Sequence, residues 1–260
     1  MCSSDLAGFK NLGGIDASGI VVGSAIGSVI AQIGFVLGVA GLLSFLTLPQ
    51  RYIFKHGAVL LGATALLYLA AIDGVISWVE GLMLIITYLV YVVVLLSRER
   101  VPTEVEQAAI HPQSRPWLKV SLGISMVIAG SELTVSSVVT LAYQFGLNEI
   151  IISVLIIGLG TSLPELSISL AAIAKRRVHL SVGNIIGSNI FDTLVPISLA
   201  ALIAPIVVAP SILSFDLPYV FALTTMVLFF FYRVSGLQRW EAGVILMLYA
   251  GYAGLNLLNL

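Results

Sequence analysis

Long apolar blocks, broken by short polar stretches, set the rhythm of this chain. Eight are long enough to cross about 30 Å of hydrocarbon as helices at 1.5 Å per residue. They run roughly Ser18–Leu46, Ile53–Ile72, Val75–Leu96, Trp117–Phe145, Glu149–Ala174, Leu180–Val208, Ile212–Tyr232 and Trp240–Leu258. None alternates with the two-residue period of a membrane barrel strand. Lipid cannot satisfy free backbone groups, so the pattern predicts helices. The fold class expected is an all-α polytopic membrane protein.

The longest polar interruption is SRERVPTEVEQAAIHPQSRP at 97–116. It is charged, holds prolines and reads as a linker between two halves, 7–96 and 117–260. Residues 1–6, MCSSDL, match no signal peptide. They read as the translation of a sequencing adapter, which predicts native sequence from about Ala7 and coding sequence lost upstream. A real, disordered terminus is the alternative.

Composition strengthens the membrane reading. The 260 residues are 59% hydrophobic and 10% charged, with a mean hydropathy of +1.08; a soluble domain carries about 25% charge. The net charge of -1 suggests no nucleic-acid partner. Cys2 is the one cysteine, which excludes a disulfide framework within the chain. His56, His111 and His179 lie far apart near predicted helix ends and read as interfacial or loop residues, not as a shared metal site.

Basic residues set the orientation. Arg51 and Lys55 follow the first span, Arg98, Arg100, Arg115 and Lys119 lie between the third and fourth, Lys175, Arg176 and Arg177 follow the fifth, and Arg233 and Arg239 follow the seventh. With eight spans these all share one face, which the positive-inside rule makes cytoplasmic. Asp16, Asp73, Glu149 and Asp216 fall near the other face. Trp78, Trp117 and Trp240 sit at span starts, where interfacial anchors belong.

Two stretches carry chemistry. GNIIGSNIFDTL at 183–194 has a weaker copy, GSAIGSVIAQIG, at 23–34. The copies align without gaps, with Val29 at the place of Asn189 and Gln32 at that of Asp192. Five spans apart, they cross the membrane in opposite directions, which is an inverted repeat. Asn184, Ser188 and Asp192 follow i, i+4 spacing and share a helix face. Gly183 and Gly187 form a small-residue stripe that invites close approach by a neighbouring helix.

The neighbour expected is IIGLGTSLPELSISLAA, with Gly158, Gly160 and Pro164 at mid-membrane. Pro164 should free carbonyls near Gly160 and Thr161, and free carbonyls are tolerated in a membrane only where they line a cavity or bind something. Thr161, Ser162, Glu165 and Ser169 add oxygens. An ionised carboxylate at mid-bilayer costs about 2.5–3.5 kcal/mol on insertion scales. No Lys or Arg lies at membrane depth, so the charge of Glu165 and Asp192 calls for a proton or a bound cation. Carboxylate, hydroxyl, amide and carbonyl oxygens suit Na⁺, Ca²⁺ or Mg²⁺. Single hydroxyls such as Ser136, Ser137 and Ser153 read as helix glue; Glu132 is either a pathway residue or paired with a hydroxyl.

GTSLPELSISL followed by GNIIGSNIFDTL resembles the second signature repeat of the calcium/cation antiporter superfamily, with compact prokaryotic sodium/calcium exchangers nearest in pattern. The resemblance runs from about Ile15 onward. That family has ten helices in two inverted halves, so it implies that the eight spans are helices three to ten of an inverted-repeat exchanger fold, the first two being missing. It also implies cation-binding positions at Thr161, Ser162, Glu165, Ser188 and Asp192, a backbone ligand at the Gly158 carbonyl, and the first-repeat serine at Ser28. Val29 and Gln32 depart from the family pattern and bear on ion preference. Asn184 and Asn189 complete the candidate set. The first repeat's glutamate belongs on a missing helix, so this chain would hold half a site and is expected not to exchange ions unaided.

The function these readings imply is exchange of Ca²⁺ for Na⁺ by alternating access in a prokaryotic plasma membrane. The transported cations and the lipid bilayer are the expected partners, and no organic cofactor is expected. A cation/proton antiporter and a non-transporting cation-binding protein are the alternatives. An intramembrane enzyme finds no support in paired aspartates, HExxH or a serine with a base.

Overall fold

A computed structural model describes residues 17–98, isolated helical positions between 121 and 144, and residues 151–258. The adapter-like start, most of the linker, Trp117, Glu132 and most of the fourth expected span lie outside the described residues. Helix α1 (Ala17–Ala31) continues through a π-helical turn at Gln32–Val36 into α2 (Leu37–Leu43). Then come β1 (Leu46–Thr47), α3 (Gln50–Ala70), β2 (Val75–Ile76) and α4 (Trp78–Arg98). The second described stretch opens with a π-helical segment, Ile152–Ile157, followed by α5 (Gly158–Thr161), α6 (Leu163–Ala174) and α7 (Val178–Ile203). It closes with β3 (Ile206–Val207), a π-helical turn at Ile212–Asp216, α8 (Leu217–Val234), β4 (Gly236–Leu237) and α9 (Arg239–Leu258).

Seven helical spans among the described residues are long and apolar enough to cross a membrane. Trp78–Ser97 is the most apolar, with a mean hydropathy of 2.4 over its best window, yet only 11% of that window is buried. A helix that is apolar all round and unburied needs lipid around it. The opposite case is Ser18–Leu43, 78% buried, which forms the centre of the bundle. Trp78 and Trp240 stand exposed at the starts of α4 and α9, as interfacial anchors do.

Among the described residues, four two-residue strands cap the bundle. β1 pairs with β4, Leu46 opposite Leu237, and β2 pairs with β3, Val75 opposite Val207, both antiparallel. The first, third and sixth expected spans are shorter than their apolar blocks for this reason: Leu46, Val75, Ile206 and Val207 belong to strands. The pairing also fixes direction. Span Ser18–Leu43 ends at β1, and α3 separates β1 from β2. The β2·β3 pair therefore marks the other face, and α7 runs toward it. Hence α1 and α7 cross in opposite senses, as the inverted repeat requires.

The repeat extends well beyond the quoted motifs. β1 at 46 recurs as β3 at 206, and β2 at 75 as β4 at 236. Leu48 N–H donates to the Ser235 carbonyl, and Val208 N–H to that of Gly74. Gly74 and Ser235 are both left-handed turn residues, at φ 85° and 53°. Glu80 accepts from Ser77 N–H at 2.6 Å, and Glu241 from Gln238 N–H at 2.9 Å, so each half starts its last helix with the same carboxylate cap. His56 bonds Tyr91 at 3.1 Å, and its counterpart Asp216 bonds Tyr252 at 2.5 Å.

That last pair corrects one expectation: His56, 1% exposed, is packed in the bundle and is no interfacial residue, while Asp216, 2% exposed, is held by a tyrosine in the turn that follows β3.

Candidate cation site

The site forms where α1, the broken span Ile152–Ala174 and α7 meet. Glycine sets the distance. A Cβ on Gly158 would stand 2.5 Å from the Gly27 carbonyl carbon and 2.7 Å from its Cα. A Cβ on Gly27 would overlap the Val154 backbone, and one on Gly23 would meet Ser153. Only hydrogen fits in these places. Gly183 and Gly187, the stripe expected to make this contact, do not: the Tyr52 hydroxyl is 3.4 Å from a Cβ at 183, and nothing lies within 4 Å at 187. Among the described residues, the tight glycine contact is made by the first copy, alongside the broken span.

That span breaks where Pro164 predicts. α5 ends at Thr161, Ser162 sits in the break and Pro164 occupies the first turn of α6. The Gly158 carbonyl accepts instead from side chains, Ser162 Oγ at 2.8 Å and Thr161 Oγ1 at 3.1 Å. Pro196 does something similar inside α7: lacking an N–H, it leaves the Asp192 carbonyl without its i+4 donor. At the equivalent place on the first copy, Gln32 opens the π-helical turn, and its carbonyl accepts from Leu37 N–H. Both repeats thus interrupt the helical ladder just after the site residue, a signal that Pro196 carried in the sequence and that the sequence reading missed.

Side chains from both halves converge on Asp192. Its Oδ2 accepts from Ser28 Oγ and from Gln32 Nε2, each at 2.7 Å, distances typical of charge-assisted bonds. Gln32 turns its other end to α7, where Ser188 Oγ donates to Oε1 at 2.6 Å. The amide orientation follows from its partners, since a carboxylate only accepts and a hydroxyl can give. Ser28 Oγ lies 3.1 Å from Ser162 Oγ, which joins the broken span to the cluster.

Of the other candidates, Glu165 is half-buried on α6, within electrostatic reach of Asp192, and its Oε2 is buried without a hydrogen-bond partner. Ser169, one turn further on, is fully buried with Oγ unpartnered. Thr161 is exposed and joins the cluster through the Gly158 carbonyl. Asn184 contributes its backbone carbonyl to Ser188 at 2.9 Å, while its Nδ2 has no partner. Asn189 stands apart. Its Nδ2 donates to the Ile185 carbonyl at 2.6 Å, and its Oδ1 has no partner. It lines a cavity of about 30 Å³ with Thr224 and apolar side chains of α3 and α8. Val29 is fully buried in the core.

Comparison with known proteins decides the family. The sequence matches the sodium/calcium exchanger protein family over residues 6–97 and 116–258. This chain belongs to that family. Among related exchangers and membrane proteins, the putative antiporter CaxA of Alkalimonas amylolytica is 32% identical over 243 residues, covering 89% of this chain and 76% of that one. The uncharacterized membrane protein MJ0091 of Methanocaldococcus jannaschii is 29% identical over 238 residues, covering 90% and 75%. In structure, this exchanger-family chain is similar to the sodium-calcium exchanger NCX_Mj soaked with Na⁺ and Ca²⁺. The TM-score is 0.70 at 28% identity, covering 90% of this chain and 75% of that one. The all-α membrane architecture with a cation antiporter's fold is therefore common to both.

Proposed function

We propose that this protein is a secondary antiporter that exchanges Ca²⁺ for Na⁺ across a prokaryotic plasma membrane, with its basic loops cytoplasmic. One observation carries the reading. A carboxylate deep in the bundle, Asp192, meets Ser28 and Gln32 from the other repeat at 2.7 Å, and no Lys or Arg occupies the middle third of any described span. Buried negative charge without a protein counter-charge is stabilised by a cation. Asp192 and Glu165 supply the charge. The hydroxyls of Ser28, Ser162, Ser188 and Thr161, the Gly158 carbonyl and the amide oxygens of Gln32 and Asn184 supply neutral ligands, while Asn189, turned to the cavity beside Thr224, is left out of the set. All are hard oxygens, the set that Na⁺ and Ca²⁺ prefer.

The geometry suggests how binding is sensed. Ser28 and Gln32 point hydrogens at Asp192. A cation on that carboxylate repels those hydrogens and attracts oxygen lone pairs. The Ser28 hydroxyl rotates about one bond, while the Gln32 amide turns over and releases Ser188. Hydrogen bonds that tie α1 to α7 are thus exchanged for bonds through the ion. The halves 7–96 and 117–260, joined by 97–116, share the site between them. Their relative movement opens it to one side at a time.

The test is Ca²⁺ uptake into Na⁺-loaded proteoliposomes on dilution into Na⁺-free buffer. With both signature repeats complete, the reading expects uptake that collapses with Na⁺ ionophore and is lost in Asp192→Asn and Glu165→Gln; from these 260 residues by themselves it expects none. Uptake driven by a pH gradient and indifferent to Na⁺ would make it a cation/proton antiporter. Ca²⁺ binding without any uptake would make it a non-transporting cation-binding protein.

A further inference from the structure

Two apolar grooves lie between α3 and α8, one toward each face of the membrane. The first, about 370 Å³, is walled by Phe54, Ala58 and Leu61 of α3 and by Leu228, Phe229 and Tyr232 of α8. The second, about 400 Å³, is walled by Ala65, Tyr68 and Leu69 with Pro218, Phe221 and Ala222. They are images of one another under the repeat: Ala58 corresponds to Pro218, Leu61 to Phe221, Ala65 to Thr225 and Leu69 to Phe229. Their ends differ in charge.

At the end of the first groove, helical spacing puts Arg51 three residues before Phe54, and Lys55 three before Ala58, on the same strip of α3. Arg233 stands four after Phe229 on the facing strip of α8, 45% exposed, with its guanidinium 4.0 Å from the buried Glu241 carboxylate and 5.6 Å from the centre of the Trp240 ring. Gln50 Nε2 donates to the Tyr232 carbonyl at 3.0 Å, and the Phe54 and Tyr232 rings meet edge to face at 5.4 Å, so both strips are held together at this end. The matching places on the second groove hold Ser211, Phe215 and Asp73. One groove ends in three cations, one of them paired with the acid Glu241; its image ends in an acid and no cation.

We propose that the first groove is a binding site for an anionic phospholipid. One acyl chain lies along Ala58, Leu61, Leu228 and Phe229, and the headgroup phosphate is taken by Arg51, Lys55 and Arg233. A groove with no polar lining at membrane depth is filled by hydrocarbon, and a basic end selects a headgroup that carries net negative charge. The second groove takes lipid tails without headgroup preference.

Native mass spectrometry of the purified protein, titrated with phosphatidylglycerol or phosphatidylcholine, tests this. One phosphatidylglycerol should be retained over phosphatidylcholine. Arg51→Gln with Lys55→Gln should lower its affinity by about 30-fold. Ala58→Phe, which fills the groove, should displace it, while Ala222→Phe in the second groove should leave it bound. Equal retention of the two lipids, an unchanged affinity in the double variant, or equal losses from Ala58→Phe and Ala222→Phe would each overturn the proposal. The double variant removes charge without adding volume to the groove, so it carries the test even where Ala58→Phe does not fold.

Discussion

Gly158→Ala keeps the backbone carbonyl and every polar side chain of the site, yet it should damage the site through packing alone. The added Cβ would lie 2.5 Å from the Gly27 carbonyl carbon and 2.8 Å from Ser28 N, both backbone atoms that cannot swing aside. Relaxing the shorter contact to an ordinary separation moves the two segments apart by about 0.9 Å. The Ser28–Ser162 hydroxyl pair, now at 3.1 Å, would open to about 4.0 Å, past hydrogen-bond reach. Losing one or two such contacts at roughly 1 kcal/mol each weakens Ca²⁺ binding about 5- to 30-fold, and overpacking costs about 1–3 kcal/mol of stability. Calorimetric Ca²⁺ titration and a thermal melt read both. Gly62→Ala is the control, since nothing lies within 4 Å of its Cβ; it should bind as the parent does and melt no lower. If Gly158→Ala also binds Ca²⁺ with the parent's affinity, the argument that the glycine contact positions the site is wrong.

Two further substitutions probe the polar network. Gln32→Glu removes the amide donor and sets a second carboxylate against Asp192. It should lower the melting temperature in chelator by several degrees and enlarge the stabilisation that Ca²⁺ gives; a variant that ignores Ca²⁺ would contradict the site assignment. Tyr252→Phe takes the hydroxyl from the buried Asp216 carboxyl. An unpaired buried acceptor costs about 1–3 kcal/mol, to be seen as a lower melt with Ca²⁺ affinity unchanged, and an affinity loss as large as that of Gly158→Ala would show that this pair is part of the cation site.

The spans were legible because lipid leaves the backbone one choice, so apolar length alone announces them. The break at Ser162 was legible for a similar reason: Pro164 removes a donor wherever it stands. The convergence of Ser28, Gln32, Ser188 and Asp192 could be anticipated from two aligned motifs in opposite senses. Which glycines made the tight contact could not. Gly183–Gly187 and Gly23–Gly27 look alike in sequence, and only the partner helix distinguishes them. The His56–Tyr91 and Asp216–Tyr252 pairs were missed because hydropathy reads a lone polar residue near a helix end as surface. The short strands were missed because Leu46, Val75, Ile206 and Leu237 are as apolar as the helices they adjoin.

Those strands carry the topological argument, so they are the place to test it. In an antiparallel pair, opposed residues stand about 4.5–5.5 Å apart at Cα, within the range a disulfide spans. Val75 and Val207 are opposed, half-buried and 41% exposed respectively. In a Cys2→Ser background, Val75→Cys with Val207→Cys should close a disulfide in membranes under mild oxidation, seen as a cross-linked peptide after proteolysis. Each single cysteine should react with a membrane-impermeant thiol reagent from the outside, whereas Ser44→Cys and Ser235→Cys, next to the β1·β4 pair, should react only from the cytoplasmic side. Absence of the disulfide would refute the β2·β3 pairing. Reaction of 75 and 207 from opposite sides would refute more: with those loops on different faces, α1 and α7 would no longer run in opposite senses, and the two copies of the motif could not face one another across a shared ion.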